Sequence, residues 1–164
     1  MIREGTNMKK TFVTLALALL FVISTSLPAF AGLKGANAIT YSAGCASVYT
    51  KIAVNVHDSL RYHEGWIYYE VTNGGGCEYQ VYVDYLHLFK NGNVVQQDNL
   101  DRWDEIGTFG NNRTYSTDWA TACAASTIWY SDARFKFRWT TNGIDWTVGD
   151  WHYMSSDNAY ACLA

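Results

Sequence analysis

Apolar and polar residues alternate with a period of two along much of this chain, the pattern of half-buried β-strands. Between Val48 and Val56, the residues Val48, Ile52, Val54 and Val56 share one face, and Lys51 and Asn55 share the other. From Gly65 to Thr72, Ile67, Tyr69 and Val71 alternate with Trp66, Tyr68 and Glu70. Cys77, Tyr79, Val81, Val83 and Tyr85 form a third stripe, opposite Glu78, Gln80 and Asp84. In Thr114 to Cys123, Trp119 and Cys123 fall on one side. The pattern predicts strands near 46–56, 64–72, 77–90, 93–103, 112–122, 127–139 and 144–154, with a short one near 158–162. No 3.6-residue pattern with caps persists for ten residues.

Two Asn-Gly pairs punctuate these runs, and each favours a two-residue type I′ hairpin turn. With Asn142-Gly143 as the loop, Thr141 opposes Ile144, Trp139 opposes Trp146 and Phe137 opposes Val148. Every apolar pair then falls on one side, so turn and pattern agree on register. At Asn91-Gly92 the expected pairs are Phe89 with Val94 and Leu88 with Val95. Here both faces of the leading strand are apolar, Tyr85 and Phe89 on one and Leu86 and Leu88 on the other. That implies cover on both sides, a bulge or a binding surface. The expected architecture is an all-β antiparallel sandwich of seven or eight strands, immunoglobulin-like in the broad sense, with a small β-barrel as the alternative.

The first 31 residues break the strand pattern. Met8-Lys9-Lys10, an apolar run from Phe12 to Ile23, and Pro28-Ala29-Phe30-Ala31 have the form of a secretory signal peptide. The run is too short for a spanning helix of roughly 20 apolar residues. Cleavage is expected after Ala31, or alternatively after Ala38. Arg3-Glu4-Gly5 can be encoded by a purine-rich stretch such as precedes bacterial start codons, so translation is expected to begin at Met8. Residues 32–44, rich in Gly, Ala and Ser, read as a flexible arm ahead of a single domain over 45–164.

Removal of residues 1–31 leaves 133, with 9 basic and 14 acidic side chains, a net charge of −5. That balance disfavours nucleic acid and anionic membranes as partners. Export makes disulfides the expected state of Cys45, Cys77, Cys123 and Cys162, and the pairing expected is Cys77–Cys123 with Cys45–Cys162. No C-x-x-C or paired-His spacing marks a zinc or redox site, and no motif implies a cofactor.

Candidate chemistry is sparse. The histidines His57, His63, His87 and His152 fit no ligand spacing. Asp98, Asp101, Asp104 and Glu105 form a weak calcium candidate around Arg102 and Trp103, without EF-hand order. There is no G-x-S-x-G elbow, and a carboxylate hydrolase would need Glu64, Glu70 and Asp84 to converge. Arg134, Lys136 and Arg138 place three cations on one strand face, able to meet an anionic ligand or to lie over a ring such as Trp151. The 23 aromatics among 133 residues exceed what one core needs, and Trp66, Tyr68, Tyr49, Trp151 and Tyr153 fall on outward faces. These eight residues are the candidate ligand contacts. The expected function is a non-catalytic secreted module that binds a glycan, a cell-wall component or an extracellular protein. The alternatives are a membrane-active toxin or bacteriocin and, behind it, a hydrolase or enzyme inhibitor.

Overall fold

The computed structural model describes residues 32–57, 62–73, 75–121 and 127–161, and they form two antiparallel β-sheets. The strands are β1 (Leu33–Ala43), β2 (Ala46–His57), β3 (Tyr62–Val71), β4 (Glu78–Lys90), β5 (Asn93–Asp98) and β6 (Asp104–Gly107). They continue as β7 (Asn112–Ser116), β8 (Ala120–Thr121), β9 (Thr127–Thr140), β10 (Thr147–Ser155) and β11 (Ala159–Ala161). The first sheet has the order β1-β2-β3-β7, with β8 also on β3. The second has the order β10-β9-β4-β5, with β6 also on β4 and β11 on β9. Among the described residues neither sheet closes on itself, so the sandwich holds and the barrel alternative does not. No helix in these residues is long and apolar enough to cross a membrane.

The stripes read from the sequence become the facing layers. Val48, Ile52, Ile67, Tyr69 and Val71 of the first sheet meet Tyr79, Val81, Val83, Phe135 and Phe137 of the second, all at most 2% exposed. A smaller cluster joins Val54, Val56, Leu88, Ala120, Trp129 and Ala159. The double apolar stripe of β4 is a bulge. Its pairing with β9 shifts between Val83 and Tyr85, so the inward set passes from Val81 and Val83 to Leu86 and Leu88. One extra residue exchanges the two faces of everything beyond it.

Besides one cross-strand pair at the Asn91-Gly92 hairpin, three expectations need correction. Residues 32–44, expected as a loose arm, contain β1, which pairs with β2 from Leu33↔Asn55 to Ala43↔Ala46. Its small residues hide it, because its one large inward ring is Tyr41, packed 4.1 Å from His152 and 5.7 Å from Phe135. The Asn142-Gly143 turn is wider than two residues: Trp139 pairs with Thr147 and Arg138 with Val148. The Asn142 Oδ1 accepts from the Ile144 and Asp145 amides, and Thr140 Oγ1 accepts from the Asn142 and Gly143 amides, which stabilises the longer loop. At Asn91-Gly92 both residues take positive φ, 50° and 81°, as a type I′ turn requires, and Phe89 pairs with Val94. A bulge there sets Leu88 against Gln96 instead of Val95.

The third correction is covalent. Cys77 bonds to Cys45, not to Cys123, across a Cα separation of 6.2 Å. Cys77 does lie on the inward face, 2% exposed, but its neighbour there is the β1–β2 turn. Cys123 and Cys162 lie outside the described residues, as does the segment read as a signal peptide.

Candidate functional site

The outer face of the second sheet carries a ladder of alternating cations and rings. Strand alternation sends Arg134, Lys136 and Arg138 of β9 outward, while Ala133, Phe135 and Phe137 enter the core. Neighbouring strands then deliver aromatics to each cation. Trp151 of β10 pairs with Lys136 and Tyr153 with Arg134, and Tyr82 of β4 pairs with Lys136 from the other side. Trp103, between β5 and β6, and Trp146, between β9 and β10, complete the set.

The distances make a layered stack. The Arg134 guanidinium lies 4.2 Å from the Trp151 ring and 5.5 Å from the Tyr153 ring. Lys136 Nζ lies 4.4 Å from Trp151, 5.5 Å from Trp103 and 5.4 Å from Tyr82. The Arg138 guanidinium sits 4.6 Å from both Trp103 and Trp146. The order is therefore Tyr153, Arg134, Trp151, Lys136, Trp103, Arg138, Trp146, ring and cation in turn. Each such contact stabilises by roughly 0.5–2 kcal/mol, depending on desolvation.

Charge compensation along this row is uneven. Arg134 Nη1 reaches Asp84 at 3.3 Å. The Nε and Nη2 groups of Arg138 both donate to Gln80 Oε1, a neutral acceptor. Among the described residues neither Lys136 nor Arg138 has a carboxylate within salt-bridge distance. Rings cover the faces of a guanidinium but leave its in-plane N–H edge for hydrogen bonds, which Arg134 directs in part to Asp84 and Arg138 in part to Gln80. Beyond Arg134 the face turns acidic and aromatic. His87 Nδ1 lies 3.0 Å from Asp132, Tyr85 stacks on His87 at 4.3 Å, and Phe89 stacks on Tyr130 at 4.4 Å. Burial pushes the Asp132 carboxyl above its usual range, opposed by His87.

Of the eight residues selected from the sequence, five (Arg134, Lys136, Arg138, Trp151, Tyr153) meet here. Trp66, Tyr68 and Tyr49 form a separate cluster on the outer face of the first sheet. Trp66 stacks on Tyr68 at 5.8 Å, and Tyr49 meets Tyr68 edge-on at 6.3 Å. Trp66 is only 9% exposed, and the Tyr68 hydroxyl donates to Glu70, so this cluster is packed rather than open. Burial and that bond push the Tyr68 hydroxyl up to about 12. Sequence reasoning missed Tyr82, Trp103 and Trp146. Tyr82 shares parity with Gln80, a signal that was available. Trp146 is displaced by the one-residue change of register, and nothing local places Trp103.

The other candidates disperse. Asp104 accepts from the Tyr115 hydroxyl and the Glu105 amide, and Asp98 accepts from the Asn99 amide. Among the described residues no group of three or more His, Cys, Asp or Glu side chains could hold a metal ion. Glu64 and Glu70 lie six positions apart on β3, about 20 Å of strand, and Asp84 is on the other sheet. Glu64 accepts from Asn55 and Trp119. His63 is buried against Trp129, and His152 packs on Tyr41. A separate cleft of about 330 Å³ beside β6 and β7 is lined by Glu105, Ile106, Gly110, Asn111, Asn112 and Arg113. No protein-family model and no curated protein matches this chain.

Proposed function

We propose that this protein is a non-catalytic secreted binding module. It recognises an anionic extracellular polymer, such as a carboxylated glycan or a charged cell-wall component, along the outer face of the second sheet. The observation that carries this reading is the pair Lys136 and Arg138, held between tryptophans without a carboxylate partner among the described residues. Cations already ordered by packing lose less conformational freedom on binding than free surface lysines do. Alternate residues of β9 stand about 6.8 Å apart, so the row offers repeated positive positions to a linear ligand. A two-sheet sandwich, immunoglobulin-like in the broad sense, presents such a face rigidly. The signal-like leader supports export, and cleavage after Ala31 would leave β1 whole, whereas cleavage after Ala38 would divide it. A membrane-active reading draws less support, because the rings it would insert are covered by cations.

The test is retention of the chain from Gly32 onward, oxidised, on immobilised polyuronate and on teichoic-type wall polymer, with a neutral glucan as control. Binding should be selective for the polyanions and should weaken steeply with salt. The Lys136→Met, Arg138→Gln double variant keeps the ring contacts largely filled and should bind at least about tenfold more weakly, since each charge-assisted bond contributes roughly 1.5–3 kcal/mol. Equal retention of the variant, or no retention of the native protein on any polyanion, would refute the reading.

A further inference from the structure

We infer that the outer edge of β1 is a self-association surface, on which the β1 strand of a second copy docks antiparallel. Among the described residues the two sheet paths end in β1, β7, β5 and β10, with β6, β8 and β11, each of two to four residues, beside them, and longer edges invite pairing unless something blocks it. Three of the four path ends carry a block. β7 is five residues long with Arg113 in it, β5 is six residues long with a bulge, and β10 is bulged between Val148 and Trp151 with Asp150 at the bulge. β1 also has a bulge, between Lys34 and Asn37, but beyond it Asn37 to Ala43 pair with β2 in unbroken register, contain no charge and no proline, and are exposed from Asn37 to Thr40.

The pairing with β2 decides which backbone groups face outward. The Ser47 carbonyl accepts from the Thr72 amide on the β3 side, so Ser42, opposite Ser47, does not bond to β2. By alternation the same holds for Thr40 and Ala38, leaving the N–H and C=O groups of Ala38, Thr40 and Ser42 directed away from the sheet. A two-fold axis at Thr40 sets Thr40 against its own copy, Ala38 against Ser42, and Ile39 against Tyr41. Ile39 is 44% exposed although it points to the same side as Tyr41, which is partly buried against the core. Pairing with the second copy's Tyr41 would cover it, an aromatic and β-branched cross-strand pair of the favourable kind. The start of β1 is held separately, by the Asp157 amide to the Gly35 carbonyl and by the Asn37 side chain to the Ser155 carbonyl. The uncharged segment suits a second copy because self-pairing brings no like charges face to face.

Sedimentation velocity of the oxidised chain from Gly32 onward, over a range of concentrations, tests this. Reversible dimerisation is expected. In hydrogen exchange, the amides of Ala38, Thr40 and Ser42 should gain protection as concentration rises, while those of Ile39 and Tyr41, already bonded to β2, should not change. Thr40→Lys places two cations at the axis on an exposed position and should weaken the dimer at least about tenfold. A chain that stays monomeric throughout overturns the inference. So does a dimer in which Thr40→Lys has no effect or the protection falls on other strands.

Discussion

Tyr69 shows at the scale of one residue how this core trades polar satisfaction for packing. Its ring is fully buried between Phe135 at 5.2 Å, Phe137 at 5.7 Å and Tyr115 at 6.0 Å. Its hydroxyl has no hydrogen-bond partner among the described residues. Burial holds that hydroxyl well above its ordinary pKa, so it remains neutral. A buried hydroxyl without a partner costs roughly 1–3 kcal/mol, and removing it leaves the ring contacts intact. Tyr69→Phe should therefore stabilise the fold by about 1 kcal/mol, read as a raised midpoint in urea with unchanged slope. Tyr79 is the internal control, because its hydroxyl donates to the Ala43 carbonyl. Tyr79→Phe should cost about 1 kcal/mol. If both substitutions destabilise equally, Tyr69 has a polar partner after all.

Among the elements, alternation was legible and interruptions of it were not. The inward sets of β2 and β3 follow directly from Val48, Ile52, Ile67 and Tyr69, because one face of each strand is uniformly apolar. A bulge leaves only an indirect trace in composition. In β4 the trace was the doubled stripe, Tyr85 and Phe89 against Leu86 and Leu88, which has a single explanation once Val83 and Tyr85 are seen to flank a register shift. In β10 the shift between Val148 and Trp151 turns Trp151 toward Lys136, and no residue pattern announced it. The cations of β9 were legible as a stripe. Their ladder was not, since Trp103 reaches it from a connection whose path depends on the whole sheet. β1 was missed because Ala, Asn, Ser and Thr carry almost no hydrophobic period. The Asn142 loop offers a direct test of this scale. In a two-residue type I′ turn, Asn142→Gly would be nearly neutral. Here Oδ1 of Asn142 accepts from two amides and from the Thr140 hydroxyl, so both Asn142→Gly and Asn142→Ala should cost about 1–2 kcal/mol in urea unfolding. A neutral Asn142→Gly would restore the tighter turn.

On the scale of the whole molecule, the Cys45–Cys77 bond joins the two sheets at one end of the sandwich, from the β1–β2 turn to the entry of β4. It spans 32 positions of sequence, and closing a loop of that size in the unfolded chain is worth about 3–4 kcal/mol if native strain is small. With Cys45 and Cys77 committed to each other, a second bond within the chain has one pairing left, Cys123 with Cys162. The two bonds would then close separate loops, so their contributions should be nearly additive. This differs from the nested arrangement expected from the sequence, in which one bond ties both ends of the domain. Proteolytic mapping of the oxidised protein without reductant should recover Cys45 linked to Cys77 and Cys123 linked to Cys162, with a mass below the reduced chain by four hydrogens. Replacing Cys45 and Cys77 by Ala should lower stability by about 3–4 kcal/mol yet leave the Cys123–Cys162 peptide unchanged. Recovery of Cys77 linked to Cys123 would overturn the staple. It would also detach the β1–β2 turn from β4, so β1 should then lose the amide protection that its register with β2 confers.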